Sequence, residues 1–163
     1  MSDFLEQVIA ERRVDVAAAK GRVPEGALIA HTRRQGQRGE AFARTLGLRR
    51  DRVGVIAEVK RRSPALGALG ESADAAAVAR SYVAAGASVI SVLTEPRHWG
   101  GSIEDLVAVR EAVDIPVLCK DVIVDEYQLV EAYAAGADAV LLIAEALDDA
   151  TLHREPGTRS QTI

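Results

Sequence analysis

Apolar residues in the later part of the chain occur in short runs that alternate with longer segments of helical spacing. Such near-continuous apolar runs are typical of strands buried on both faces of a parallel sheet. The predicted strands are Val53–Val59, Ala87–Leu93, Pro116–Cys119 and Ala139–Ile143. The first three are followed by predicted helices at about Ser72–Ala85, Ser102–Val113 and Asp125–Ala135, and Asp148 or Asp149 would begin a fourth.

Capping residues support this alternation. Ser72 is the predicted N-cap of the first of these helices, and Ser102-Ile103-Glu104-Asp105 is a capping signature for the second. Ala-Ala-Gly-Ala occurs at both 84–87 and 134–137, where the glycine would end a helix and lead into the next strand. Strands and helices in this order predict a parallel sheet with right-handed crossovers.

Two α/β architectures fit four such units, the first half of a TIM (β/α)8 barrel and an open doubly wound sheet. No glycine-rich dinucleotide loop follows the first strand, and polar residues lie at several strand ends, so the half barrel is favoured. Extra helices precede it. They are predicted at Phe4–Lys20, with Gly21 as C-cap and Pro24 as breaker, at Ala27–His31 and at Glu40–Leu46.

The predicted domain organisation follows from these elements. Residues 1–50 form a helical extension, residues 51–150 form the first half of the barrel, and residues 151–163 form an irregular, disordered tail. The tail contains Pro156-Gly157 where a helix should continue. We read it as the point where the architecture is cut.

Composition narrows the function classes. A hydrophobic content of 48% predicts a folded chain, and a net charge of −4 argues against nucleic acid as a partner. No apolar run is long enough to span a membrane, and the N-terminus lacks the cationic start of a signal peptide, so a cytoplasmic protein is expected. The single cysteine, Cys119, excludes an internal disulfide, and no His/Asp/Glu spacing supports a metal.

The candidate catalytic residues lie at the carboxyl ends of the predicted strands, where a barrel has its active site. Glu58 and Lys60 are two residues apart on the first strand, so their side chains share a face. This pair is explained equally well by a function and by a strand-end ion pair that meets solvent. Lys120 follows the third strand at the same rim, and two nearby lysines suit an anionic substrate. Its alternative role is an ion pair with Asp121 or Glu58.

Other polar residues at this rim are less specific. Trp99, the only tryptophan, is either a loop anchor or an aromatic lid over a planar substrate. His98 is expected at the surface, and Cys119 is expected to be a buried, inert strand residue. Two roles are open for Arg61 and Arg62: a position on a solvated face, and a contact with a helix or with a phosphate group.

Three motifs in order resemble the indole-3-glycerol phosphate synthase family, from the N-terminal helix to about Leu147. They are Ile56-Ala57-Glu58-Val59-Lys60-Arg61-Arg62-Ser63-Pro64, Ser91-Val92-Leu93-Thr94-Glu95-Pro96 with Gly100-Gly101-Ser102, and Pro116-Val117-Leu118-Cys119-Lys120-Asp121. The resemblance implies a (β/α)8 barrel with extra N-terminal helices. It also implies an enzyme that cyclises the phosphorylated small molecule carboxyphenylamino-deoxyribulose 5-phosphate, with loss of CO₂ and water, and needs no cofactor or metal.

The resemblance also implies roles for individual residues. Lys120 is similar to the family's general acid, Lys60 to the lysine that holds the substrate carboxylate, and Glu58 to the glutamate that orients both lysines. Ser63, Trp99 and Leu141 correspond to substrate-binding positions, with Trp99 against the anthranilate ring.

The sequence departs from the family pattern at three points. Ala65 and Leu66 replace a serine and a lysine of the first loop, and Val122 replaces an aromatic residue. The family's strand-five glutamate (the general base), its strand-six asparagine and its phosphate-binding loops after strands seven and eight have no counterpart. We therefore expect a truncated synthase that is inactive alone and self-associates through the open edges of its sheet.

Two other readings compete with a truncated lyase. The chain could be a non-catalytic half barrel that serves as an interaction or assembly module. A different sugar-phosphate barrel enzyme, such as a phosphoribosylanthranilate isomerase, has less support, because the pattern of Glu58, Lys60 and Lys120 belongs to the synthase.

Overall fold

A computed structural model describes residues 3–32, 42–45, 53–69 and 73–147 of the chain. Residues 42–45 are helical, and the remainder of the helix expected at Glu40–Leu46 lies outside the described residues, as does the expected tail. The other helices are α1 (Asp3–Arg22), α2 (Glu25–Thr32), α3 (Ala75–Ala84), α4 (Ile103–Ala112) and α5 (Glu126–Ala134), with a 3₁₀ turn at Ala144–Ala146. The strands are β1 (Ile56–Val59), β2 (Arg62–Ser63), β3 (Gly67–Ala68), β4 (Val89–Leu93), β5 (Val117–Lys120) and β6 (Ala139–Val140).

The described residues divide into two compact units. One contains residues 3–32, 122–134 and 141–147, and the other contains residues 42–45, 53–69, 73–121 and 135–140. The predicted domain boundaries at residues 50 and 150 remain a prediction. No helix in the described ranges combines the length and the apolar character needed to cross a membrane.

The first unit is helical. Helix α1 buries Val8, Ile9 and Val16 at helical spacing, and it contacts α5 and the 3₁₀ turn, while α2 packs against α5. The Lys20 Nζ lies 2.7 Å from Asp125 Oδ2, directly before α5. The expected C-cap at Gly21 is wrong, because α1 continues through Gly21 to Arg22, and Pro24 separates it from α2.

The second unit contains a four-stranded parallel sheet in the order β1-β4-β5-β6. Helix α3 packs on β1, and α4 packs on β4 and β5. The central strand β4 is buried along its whole length. Among the described residues, the strand order follows the chain without reversal, so this part of the sheet has the arrangement of a barrel wall and not the reversed order of a doubly wound sheet. The α/β prediction is therefore confirmed.

Several element boundaries differ from the sequence prediction. β1 begins at Ile56 instead of Val53, because its ladder with β4 starts there. Helix α3 begins at Ala75, and the Asp74 side chain accepts the N–H of Ala76 at 3.0 Å as its N-cap. The expected N-cap, Ser72, lies outside the described residues, and β6 ends at Val140, three residues before the predicted end.

Other local predictions are confirmed. The Ser102 Oγ accepts the N–H of Asp105 at 3.1 Å and caps α4. Gly86 and Gly136, in the two Ala-Ala-Gly-Ala segments, have φ angles of 93° and 96°, the left-handed conformation that favours glycine.

Candidate active site

Glu58 and Lys60 lie together at the carboxyl end of β1. The Lys60 Nζ is 2.9 Å from Glu58 Oε1. The alternation of a strand places both side chains on one face, as the sequence predicted. β1 thus ends in an ion pair rather than in two independent charges.

Lys120 joins this pair from two strands away. It ends β5, and its Nζ is 3.0 Å from Glu58 Oε2. The alternative partner, Asp121, is buried and accepts a hydrogen bond from the Thr94 hydroxyl at 2.8 Å. One carboxylate therefore bridges two ammonium groups, and we call Glu58, Lys60 and Lys120 the charge cluster.

The charge cluster carries a net positive charge and is open to solvent. Its side chains are 29% (Glu58), 30% (Lys60) and 34% (Lys120) exposed. Burial of the Glu58 carboxyl would raise its pKa, but hydrogen bonds and charge interactions with Lys60 and Lys120 outweigh burial, so the pKa lies below its ordinary value. The carboxylate stays ionised at neutral pH, and the two ammonium groups leave one excess positive charge for an anionic ligand.

Arg61, the next residue after Lys60, is anchored to helix α4. Its guanidinium donates to both carboxylate oxygens of Asp105, at 2.9 and 2.6 Å, and to the Ala73 carbonyl at 3.0 Å. The hydrogen bonds with Asp105 raise the pKa of Arg61, although burial opposes them. A solvated position and a contact with a helix or a phosphate group were both open for Arg61, and the structure shows the contact with a helix.

The hairpin after β1 carries Ser63. β2 and β3 pair antiparallel, with Ser63 opposite Gly67, and Gly67 has a φ of 72°. Ser63 is half-buried. The neighbouring Arg62 N–H donates to the Trp99 carbonyl at 3.0 Å, so the hairpin and the loop that contains Trp99 are joined by main-chain bonding.

His98 and Trp99 occupy the loop after β4. Both are half-buried, and their ring centroids are 6.0 Å apart at an interplanar angle of 67°. His98 was expected at the surface, and it is partly exposed there. Cys119 is buried, as predicted, with its Sγ 3.4 Å from Thr94 Oγ1.

Leu141 belongs to the first unit, whereas the charge cluster belongs to the second. Its role in substrate binding therefore stays a prediction. Within the described ranges, no group of three or more His, Cys, Asp or Glu side chains could hold a metal ion.

Two buried polar residues of β4 and its loop were not singled out from the sequence. Glu95 is fully buried and accepts hydrogen bonds from three main-chain N–H groups. Ser91 is buried beside Glu58 in the sheet register, and its hydroxyl has no hydrogen-bond partner among the described residues. Both residues lie in the second motif, Ser91 to Pro96, and an acidic residue directly after an apolar strand was a usable signal for Glu95.

Comparison with known proteins gives one family. The family model described as indole-3-glycerol phosphate synthase matches residues 5–156. Relatives with that name include a protein of Parafrankia sp. (strain EAN1pec). It is 50% identical over 148 residues, and the matched region covers 91% of this chain and 54% of the relative. The protein of Streptomyces griseus subsp. griseus is 51% identical with the same coverage of both chains. The protein of Nocardioides sp. is 65% identical over 100 residues, 61% of this chain and 38% of the relative. The chain thus spans about half the length of the curated relatives it matches.

Proposed function

This chain belongs to the indole-3-glycerol phosphate synthase family, and we propose that it supplies the first half of that enzyme's active site. The reaction is the ring closure of carboxyphenylamino-deoxyribulose 5-phosphate to indole-3-glycerol phosphate, with loss of CO₂ and water. The observation that carries the proposal is the charge cluster, in which Glu58 lies within 3.0 Å of both Lys60 Nζ and Lys120 Nζ.

The charge cluster suits the acid chemistry of this reaction. An ammonium group has three N–H donors, and Glu58 accepts one from each lysine, which leaves donors for substrate oxygens. We assign Lys120 as the general acid that protonates the substrate carbonyl as the ring closes, and Lys60 as the residue that binds the substrate carboxylate. Glu58 orients both ammonium groups and is itself held ionised by them.

The loops beside the charge cluster would bind the remainder of the substrate. We propose that Trp99 packs against the anthranilate ring and that Ser63, in the hairpin bonded to the Trp99 loop, contacts the substrate. Ala65 and Leu66, which differ from the family pattern in the loop after the first strand, would contribute less to substrate binding than their counterparts do.

Four parallel strands make half of a barrel wall, and a (β/α)8 barrel needs eight. We therefore expect the 163-residue polypeptide, assayed by itself, to form no indole-3-glycerol phosphate. The test is to mix this chain with a second polypeptide, which contains the part of a full-length relative that this chain does not match, and to measure the formation of indole-3-glycerol phosphate. Turnover that requires both polypeptides supports the proposal, whereas no turnover in any mixture that assembles contradicts it.

An interaction module is the second candidate, and the exposed edge of β1 favours it. Ile56 and the preceding Val53 and Val55 are exposed, and Val53 is 91% exposed. The cavity of about 230 Å³ beside β1 does not include these three residues, because it is lined by Glu58, Lys60 and Arg61 together with Val59, Leu69, Ala73, Ala75, Val78 and Tyr82. An apolar strand edge is a template for pairing with another strand.

We propose that this edge mediates self-association of the 163-residue polypeptide. Sedimentation analysis should show oligomers, and Ile56→Lys should shift them towards monomer, whereas Val107→Lys, a change at an exposed residue of α4, should not. A strictly monomeric parent polypeptide would rule out this second function.

A further inference from the structure

Glu95 is a buried carboxylate that lies outside the charge cluster. It directly follows Thr94 at the carboxyl end of β4, and its exposure is 0%. A buried carboxylate is retained in a folded protein only where hydrogen bonds or cations compensate for its lost hydration. Its partners therefore indicate what it stabilises.

Those partners are three consecutive main-chain groups of one loop. The N–H of Arg97 donates to Glu95 Oε1 at 3.0 Å, and the N–H groups of His98 and Trp99 donate to Oε2 at 2.6 and 3.1 Å. Hydrogen bonds to an ionised acceptor are about twice as strong as neutral ones. One side chain thus fixes the backbone of the loop up to Trp99.

The loop is closed on its other side by close main-chain packing. The Gly101 N–H donates to the Glu95 carbonyl at 2.9 Å. A Cβ at Gly101 would lie 2.0 Å from the Leu93 carbonyl oxygen, so only glycine fits there. The conformation of residues 95–101 is therefore set by Glu95 at one end and by the packing of Gly101 at the other.

The same loop holds the hairpin that contains Ser63. Besides the bond from the Arg62 N–H to the Trp99 carbonyl, the Arg62 guanidinium donates to the Arg97 carbonyl at 2.8 Å. Arg62 directly precedes Ser63 and lies two residues after Lys60. A loop held in place by Glu95 consequently holds the hairpin in place as well.

We propose that Glu95 is a positioning residue that fixes Trp99, and through Arg62 the Ser63 hairpin, for substrate binding. This inference rests on the proposed function, in which Trp99 contacts the anthranilate ring. Glu95→Gln tests it with little change in side-chain size. The carboxamide retains one acceptor oxygen and directs its NH₂ group at a main-chain N–H donor, so at least one hydrogen bond is lost.

Two readouts follow the loop without any substrate. Loss of a hydrogen bond to a charged group should lower the hydrogen-exchange protection of the Arg97, His98 and Trp99 amides about tenfold. Trp99 is the only tryptophan, so its emission should shift to longer wavelength and its quenching by acrylamide should increase. Glu104→Gln, the same change at an exposed residue of α4, should leave both readouts unchanged.

A readout of the reaction separates positioning from simple structural support. In the assay with the added polypeptide, Glu95→Gln should raise KM several-fold and change kcat much less, because it alters substrate binding and leaves the charge cluster intact. An unchanged KM despite a loosened loop would overturn the proposal. So would parental protection and emission in a folded Glu95→Gln variant.

Two outcomes separate this inference from the proposed function. If a parental mixture that assembles forms no product, the proposed function fails, while exchange and emission still report whether Glu95 fixes the loop. If Glu95→Gln does not fold, the amides of residues 97–99 are measured in the parental chain. If these amide hydrogens exchange as fast as in an unfolded chain, the proposal is overturned. If their exchange is strongly slowed, the proposal is supported.

Discussion

Separating Arg61 from Asp105 should destabilise the second unit and loosen the end of β1. Arg61 follows Lys60 directly, and its guanidinium is the connection between that strand end and helix α4. Asp105→Asn keeps the size of the side chain but removes its charge. Arg61→Met keeps the apolar part of the side chain and removes every hydrogen bond of the guanidinium, including the one to the Ala73 carbonyl.

The expected magnitude follows from geometry and burial. The pair has two N–H···O contacts, at 2.9 and 2.6 Å, and its side chains are only 24% (Arg61) and 14% (Asp105) exposed. Exposed ion pairs contribute about 0 to 1 kcal/mol, whereas removing one member of a fully buried pair costs about 3 to 5 kcal/mol. We expect about 2 kcal/mol for each single change and a coupling energy of about 1 to 2 kcal/mol in the double-mutant cycle.

The assay is urea unfolding of the parent, both single variants and the double variant, followed by circular dichroism. Arg80→Met is the matched control, because the Arg80 guanidinium lies 3.9 Å from Asp74 in an exposed pair, and it should change stability by less than about 0.5 kcal/mol. Strictly additive effects of the two single changes would refute the reasoning, as would a coupling no larger than that of an exposed pair.

Two further predictions concern residues of the sheet. Because Glu58 has a lowered pKa in the folded chain, it stabilises the fold above the ordinary carboxyl pKa of 4.5. This contribution is lost as pH falls through the folded pKa, so unfolding curves from about pH 7 to about pH 3 should be less pH-dependent for Glu58→Gln than for the parent. An equal pH dependence of the free energy of unfolding in Glu58→Gln and the parent would contradict the assigned contacts. Ser91→Ala should raise the free energy of unfolding by about 1 kcal/mol, because it removes a buried hydroxyl that no described residue pairs with. Destabilisation by a similar amount would show that the hydroxyl has a partner.

Local chemistry decided which features could be predicted from the sequence. The Ser102 cap depends on residues three positions apart, and the glycine joints depend on one residue each, so both were predictable. The shared face of Glu58 and Lys60 follows from strand alternation alone. The order of the βα units was predictable for the same reason, since each unit repeats a local pattern of an apolar strand and a helix, and two of the three helix-to-strand joints contain a glycine.

Features that depend on distant partners were not predictable. The sequence gives no reason to pair Arg61 with Asp105, which lies 44 residues further along the chain, or to choose Glu58 over Asp121 for Lys120. The start of β1 was predicted at Val53, because the apolar run extends beyond the residues that have a partner in β4. Glu95 is a different case, because its partners are only two to four residues away, but only the folded loop directs their three N–H groups to its carboxylate.

The most direct test of the charge cluster is Lys120→Gln in the two-polypeptide assay for indole-3-glycerol phosphate. If Lys120 is the general acid, the initial rate should fall by about 10² to 10⁴ while the mixture still assembles. Lys20→Gln, which removes a lysine paired with Asp125 in the first unit, should keep the parental rate. A parental rate for Lys120→Gln would contradict the account, because Glu58 would then hold Lys120 only as a structural ion pair.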